Sequence, residues 1–180
     1  MTNAELKTIL ENHKKWLCRK AGGVRADLCY VDLCNADLRG ANLCYVDLCY
    51  ADLRYAKNVN EVDWNNLTAS FGLACPEIGS FIAWKKCRNR IVKLLVTDDA
   101  MRSSATSRKC RCSKAEVLAI ENMDGTPSED TEVASAYDSS FIYRIGETVE
   151  VKDFDTDRWN ECSRGIHFFI TREEAVRYDG

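Results

Sequence analysis

Hydrophobic and polar positions repeat every five residues between Ala26 and Tyr55. In six consecutive units a leucine occupies the centre, a small apolar residue lies two positions before it, and Asp or Asn stands between them. The central residues are Leu28, Leu33, Leu38, Leu43, Leu48 and Leu53. A period of five matches neither the 3.6 of an α-helix nor the 2.0 of a strand. It predicts a coil whose short straight sides each point two residues inward and then turn a corner.

The units ADLCY, VDLCN, ADLRG, ANLCY, VDLCY and ADLRY resemble the pentapeptide-repeat family. The resemblance implies a short right-handed, quadrilateral β-helix in which four units make one coil. It also implies that the leucines fill the centre, that the small residues lie beside them, and that the other side chains face outward. We therefore expect a mainly β protein in which the six leucines form the core of the repeat.

The segment before the repeat predicts an amphipathic helix. Thr2-Asn3-Ala4-Glu5 has the form of a capping box. The apolar stripe at helical spacing consists of Leu6, Ile9, Leu10, His13, Trp16 and Leu17. We predict a helix over residues 3–19 that caps the first coil, with His13 packed rather than acting as a ligand. These patterns divide the first part of the chain into a capping helix (1–20) and a β-helix (21–77).

Residues 78–180 change to short β-rich runs separated by polar turns, which predicts a small β-rich α+β domain. The predicted strands are Phe81–Trp84, Ile91–Val96, Glu116–Ile120, Phe141–Ile145, Thr148–Val151 and Ile166–Ile170. A second capping box, Thr171-Arg172-Glu173-Glu174, predicts a short helix that ends at Tyr178.

Composition and charge exclude several partners. The chain has 180 residues and a formal charge of −3, so direct binding of nucleic acid is not expected. No apolar run approaches the ~18 residues of a membrane span, and the N-terminus lacks the layout of a secretory signal. We expect a cytoplasmic protein without a membrane partner and with reduced thiols.

Four of the ten cysteines, Cys29, Cys34, Cys44 and Cys49, follow the repeat and should face outward. These cysteines have two interpretations: a ladder of thiols that binds metal or senses redox state, or small side chains on the outer wall of the repeat. We prefer the small side chains, because no low-pKa environment accompanies the thiols. Cys110-Arg-Cys112, with Cys87, Cys162 and His167, has poor spacing for zinc. On a strand, Cys110 and Cys112 would share one face, as core residues do. We predict no metal and no cofactor.

The charge of the C-terminal half is divided. Residues 75–120 carry a net charge of +6 and residues 121–180 a net charge of −9. One basic stretch combines cations with hydroxyl groups, a composition suited to phosphate or another anion. Its candidate ligand-binding residues are Arg102, Ser103, Ser104, Thr106, Arg108 and Lys109. The alternative is a solvated loop whose cations pair with the acidic last third.

Support for catalysis is slight. Cys162 and His167 lie close in sequence, but a nucleophile pair needs contact in space, and His167 fits equally well in a buried strand. The chain carries no Gly-rich phosphate loop, G-x-S-x-G or H-E-x-x-H motif. We assign no catalytic residue and expect a protein that is not an enzyme.

The segments SFIAWKKC, RSSATSRKCRCSKAEVL and ECSRGIHFFITREEAV resemble a family of uncharacterised phage and prophage proteins. With the repeat, this resemblance implies a non-enzymatic accessory protein, with counter-defence as a candidate role, that engages a host protein or other macromolecule in the host cytoplasm. The alternative is a protein that sequesters a nucleotide or another phosphorylated molecule on the basic stretch, with Trp84 or Tyr143 stacking on a base. An enzyme using Cys162 and His167 is the third hypothesis. An exposed tyrosine ladder (Tyr30, Tyr50) and open sheet edges predict self-association, with a dimer as the favoured form.

Overall fold

The computed structural model describes residues 1–179 and is mainly β, as predicted. The chain divides into two compact units. The first contains residues 1–73 together with 105–107, and the second contains residues 74–104 and the chain from 108 onward. The division into regions 1–20, 21–77 and 78–180 stays a prediction, because compactness does not show which regions fold independently.

The predicted N-terminal helix is confirmed as α1, Asn3–Leu17. Thr2 and Glu5 form the capping box with both of its hydrogen bonds. The helix ends two residues before the predicted boundary, since Arg19 adopts a left-handed conformation with a φ of 54°. The His13 ring is buried: Nε2–H donates to the Cys44 carbonyl (3.0 Å), and Nδ1 accepts from Ala26 N–H (3.2 Å). Burial lowers the pKa of His13, so the histidine is a packed residue, as expected.

Every pentapeptide makes the same corner, and its polar residues explain why. The Asp or Asn side chain accepts a hydrogen bond from the backbone N–H two residues later, as Asp27 Oδ1 does from Cys29 N–H at 3.0 Å. The fifth residue of each unit has a positive φ, between 55° at Tyr50 and 68° at Tyr45. The next residue then donates its N–H to the leucine carbonyl. A positive φ at the third of four turn residues is the requirement of a type II turn.

Parallel bridges join each stretch of the repeat to the stretch about twenty residues later in the chain; each such stretch is called a pass below. They connect Asp27 with Asp47, Asp32 with Asp52 and Asp37 with Lys57, each pair twenty residues apart in the chain. The spacing then lengthens, because a short 3₁₀ helix, Val59–Glu61, inserts extra chain. All six repeat leucines are at most 1% exposed, and none of the four repeat cysteines is buried.

The second unit contains three antiparallel sheets, with strand orders β1-β2-β5-β8, β3-β4-β9 and β6-β7. The strands are β1 Phe81–Cys87, β2 Arg90–Val96, β3 Arg102–Ser104, β4 Cys110–Cys112, β5 Lys114–Asn122, β6 Glu132–Ala134, β7 Ile142–Arg144, β8 Thr148–Glu150 and β9 Ile166–Phe168. Helix α2, Arg172–Arg177, follows β9 and has the predicted capping box.

All six predicted strands are present, whereas β3, β4 and β6 were not predicted. The core of this unit draws on the first two sheets and on Tyr143 of the third. Cys110 and Cys112 are fully buried within it, which confirms that they share a face toward the core. No helix within residues 1–179 combines the length and the apolar character needed to cross a membrane.

Candidate functional site

A cleft of about 720 Å³ opens in the second unit. Strands β1, β7, β8 and β9 contribute to its walls, together with Lys109 and the segments 135–138, 151–153 and 162–165. Two lysines, Lys85 and Lys109, lie at its buried end and are less than one tenth exposed. Acidic and basic residues also line the cleft, among them Glu150, Asp153 and Arg164.

Lys85 occupies a core position of β1. Strand side chains alternate between faces, and Ala83, Lys85 and Cys87 all point inward. The ammonium group donates to the His167 carbonyl oxygen at 3.2 Å and lies 5.8 Å from the centre of the Tyr143 ring. Burial lowers the pKa of Lys85, because a cation loses hydration in the protein interior.

Lys109 immediately precedes β4, and it lines the cleft. Its Nζ lies 3.3 Å from the Cys162 sulfur, 3.9 Å from the Glu161 carboxylate and 5.6 Å from the centre of the Tyr178 ring. Burial by itself lowers the pKa of Lys109, but the interactions of its ammonium group with Cys162, Tyr178 and Glu161 outweigh that effect, so the pKa is raised. Lys109 therefore carries its charge in the folded protein.

Cys162 and His167 both line this cleft, although the contacts do not pair them for catalysis. His167 Nε2–H donates to the Ser163 carbonyl oxygen at 2.9 Å, so this nitrogen holds a proton and does not accept one from a thiol. Burial lowers the pKa of His167 to about 4, with Lys109, Lys85 and Arg111 adding to the shift. The Cys162 sulfur instead accepts a hydrogen bond from the Lys109 ammonium group.

Aromatic rings form the remaining wall. Tyr143 is almost fully buried, which raises its pKa well above the usual range, and its ring lies 5.3 Å from that of Phe141. At the rim the Tyr137 and Tyr178 hydroxyls are 3.3 Å apart. The cleft thus places flat apolar surface next to two buried ammonium groups.

Arg111 holds the loop that carries Cys162 and Arg164. Its guanidinium group is buried and donates to the carbonyl oxygens of Asp155 (3.0 Å), Arg164 (2.8 Å) and Asp157 (2.8 Å). It also lies 5.1 Å from the centre of the Phe154 ring. Arg111 is therefore a positioning residue for the rim of the cleft.

The six residues of the predicted anion site do not converge. Every hydrogen bond found for Arg102 ends on a backbone carbonyl oxygen, including those of Gly79 (2.8 Å) and Thr97 (2.8 Å). Ser103 Oγ is buried without a partner, and Ser104 Oγ accepts from Ala74 N–H. Arg102 thus has a structural role as a brace for neighbouring backbone.

The remaining members of the predicted site separate in the same way. Thr106 belongs to the first unit, where its hydroxyl donates to the Ala51 carbonyl. Arg108 forms an ion pair with Glu174 at 2.7 Å. Lys109 alone lines the cleft. The structure does not bring the six residues together, because they are divided between the two units and their side chains contact different partners.

The thiols of the rejected zinc group lie in apolar surroundings. Burial raises the pKa of Cys87 to about 11 and that of Cys112 to about 12. A hydrogen bond with Cys75, together with burial, raises the pKa of Cys110. These cysteines are packing residues, since they lie buried in the core of the second unit.

Family models match both parts of the chain. Residues 24–57 match a model described as pentapeptide repeats (8 copies). Residues 71–175, more than half of the chain, match a family described as a family of unknown function (DUF5758), and the chain belongs to that family. Most of the cleft lies inside the matched region. No curated protein and no solved structure matches the chain.

Proposed function

We propose that the chain is a non-enzymatic binding protein that holds a compact phosphate-bearing anion, a nucleotide or a smaller phosphate, in the cleft of its second unit. The observation that carries the proposal is Lys85. Its ammonium group is buried, faces the cleft and forms no ion pair within residues 1–179. This proposal moves the anion from the predicted basic stretch to the cleft and retains Lys109 alone from that set.

A buried cation is costly unless an anion or several hydrogen bonds compensate for its lost hydration. Lys85 has one carbonyl acceptor, the His167 oxygen. A phosphate oxygen in the cleft would supply the missing negative charge, and Lys109 would add a second charge-assisted contact. The rings of Tyr137 and Tyr178 offer a surface on which a nucleotide base can stack. Of Trp84 and Tyr143, the two stacking residues considered from the sequence, Tyr143 lines the cleft, whereas Trp84 does not.

The geometry around His167 supports binding over catalysis. The Nε2–H group of His167 is committed to the Ser163 carbonyl, and the lowered pKa makes the imidazole a weak base. The ammonium group of Lys109, which contacts Cys162, is suited to binding a negatively charged ligand.

The proposal predicts that Lys85→Gln and Lys109→Gln each weaken binding of adenosine monophosphate and of inorganic phosphate by about tenfold or more, the loss typical of a charge-assisted hydrogen bond. Isothermal titration calorimetry of the full chain measures both affinities. Lys93→Gln is the matched control, because Lys93 belongs to the adjacent strand β2 and contacts Trp84 outside the cleft. An equal loss in the control, or no binding of either anion by the wild type, would contradict the proposal.

We also propose a second function for the repeat segment, which we assign as a right-handed, four-sided β-helix that presents a protein-binding wall. The supporting observation is an aromatic pair on its surface. Tyr30 and Tyr50 are 73% and 49% exposed, and their rings stack with centroids 5.1 Å apart and planes within 5°. In this proposal the chain is a phage or prophage accessory protein of the host cytoplasm, and the wall engages a host protein or a second copy of the chain.

Self-association gives this second proposal a direct test. We expect the full chain to form dimers and Tyr30→Ser/Tyr50→Ser to shift it toward monomer, because exposed aromatic side chains contribute strongly to protein interfaces. Light scattering reports the mass against the 20.4 kDa of one chain. Tyr55→Ser is the control: Tyr55 occupies the same position of its pentapeptide and is 63% exposed, but Asn35 stands at the corresponding position of the pass before it. A wild-type monomer at high concentration would contradict self-association.

A further inference from the structure

Two cysteines of the repeat form a pair on the surface of the first unit. Cys29 and Cys49 occupy the fourth position of units ADLCY and VDLCY. The bridge between Asp27 and Asp47, and the hydrogen bond from Tyr30 N–H to the Cys49 carbonyl at 2.8 Å, hold the two backbone segments side by side. Within residues 1–179, the two sulfur atoms and one Asp47 carboxylate oxygen make up the one group of three potential ligands that lie within 4.8 Å of one another.

The folded repeat orients these ligands. Asp47 Oδ1 accepts the Cys49 backbone N–H at 2.9 Å, which fixes the carboxylate next to the thiol of Cys49. The stacked rings of Tyr30 and Tyr50 fix the following position in each pass. All three ligand residues are half-buried, so a cation can reach the group from solvent while being partly shielded from it.

We propose that Cys29, Cys49 and Asp47 form a binding site for a thiophilic divalent cation of the zinc class. Two tetrahedral thiolates at a Zn–S distance of about 2.3 Å stand about 3.8 Å apart, so ligand atoms that lie within 4.8 Å of one another need only small side-chain movements. The cation displaces one proton from each thiol, and both protons leave to solvent. Water supplies the fourth ligand, because zinc accepts three protein ligands and a solvent molecule.

The other repeat cysteines show why the pair is special. One pass after Cys34 the chain has Arg54, which forms an ion pair with Asp52 at 2.6 Å. Beside Cys44, the next pass places Asn65, whose side chain accepts Tyr45 N–H. Cys34 therefore has the same backbone setting as Cys49, including a hydrogen bond to the preceding aspartate at 2.9 Å, but lacks a second thiol. This site is independent of the cleft, and the repeat leucines form the core of the first unit without it.

The test is a titration of the full chain with Cd²⁺ under a non-thiol reductant, followed by competition with Zn²⁺. Both titrations use a background in which the exposed Cys18 and Cys162 are serine. We expect one Cd²⁺ per chain with ultraviolet thiolate-to-metal charge-transfer absorption, and loss of that band in Cys29→Ser and in Cys49→Ser. Cys34→Ser is the matched control and should retain it.

The carboxylate has its own variant. Asp47→Asn keeps the backbone acceptor, as Asn42 does in its own unit with a hydrogen bond of 3.0 Å to Cys44 N–H. We expect it to fold, as judged by circular dichroism, and to weaken cadmium binding by at least about tenfold, the lower end of what even an outer-shell partner contributes. Unchanged affinity in Asp47→Asn or in either cysteine variant, or equal loss in Cys34→Ser, would overturn the three-ligand site.

Discussion

Replacing Arg111 by methionine is expected to lower the free energy of unfolding of the second unit by about 3–5 kcal/mol. Three carbonyl oxygens, those of Asp155, Asp157 and Arg164, lose a hydrogen bond to a charged donor. Each such bond contributes about 1.5–3 kcal/mol, and water at the loop surface recovers part of the loss. Hydrogen exchange of the amides in β1 and β2, measured by mass spectrometry, reports this free energy for the unit directly.

Two further variants separate the role of Arg111 from that of charge alone. Arg111→Lys keeps the charge, but its single ammonium group cannot match a planar fork that serves three carbonyls, so we expect an intermediate loss. Arg88→Met removes an exposed arginine from the turn after β1 and should change stability by less than about 0.5 kcal/mol. Equal effects of Arg111→Met and Arg88→Met would show that the guanidinium group does not hold the loop.

The sequence was most informative in the repeat, because there each residue type has one structural task. Asp or Asn closes the local turn, the fifth residue takes a positive φ, and leucine fills the centre. The tyrosines at this fifth position are the exception, since a positive φ is uncommon for a bulky residue. Even with tyrosine there, the five-residue period places the corner at the fifth position, because no other position of the unit can hold it.

In the second unit the three long strands could be predicted from their apolar residues, whereas the polar strand β3 could not. Strands β1, β2 and β5 are seven to nine residues long and rich in apolar residues. Strand β3 is Arg-Ser-Ser, which has no apolar signal, and its place is set by pairing with β4. Its buried serines illustrate that tertiary context can override local composition.

The candidate site was largely hidden from sequence reasoning. Lys85 and Arg111 lie within residues 75–120, whose net charge of +6 does not distinguish buried cations from solvated ones, yet both side chains are buried. A signal for Lys85 exists in the strand register, since it shares a face with Ala83 and Cys87. The strand register gives no such signal for Arg111, because all three residues of β4 are buried. The carbonyl groups that Arg111 binds also lie more than forty positions away in the chain.

Leu48→Ala is expected to produce the second large effect, a loss of about 2–5 kcal/mol from the free energy of unfolding of the first unit. Leu48 is fully buried, and its N–H donates to the Ala69 carbonyl at 3.2 Å. Truncation removes buried methyl groups and leaves a cavity that the surrounding structure cannot fully close. The bridged passes hold the chain on both sides of the leucine, so we expect the loss to fall in the upper part of that range.

The measurement for Leu48→Ala is hydrogen exchange over residues 26–55, with Leu67→Ala as the matched control. Leu67 belongs to the same unit and undergoes the same chemical change, but it is 58% exposed, so its truncation should cost less than about 0.5 kcal/mol. A repeat held together mainly by its backbone bridges and side-chain turns would lose little protection in either variant. A loss confined to Leu48→Ala would instead show that the central leucine column supplies the stability of the repeat, and that its polar residues chiefly set the position of the corners.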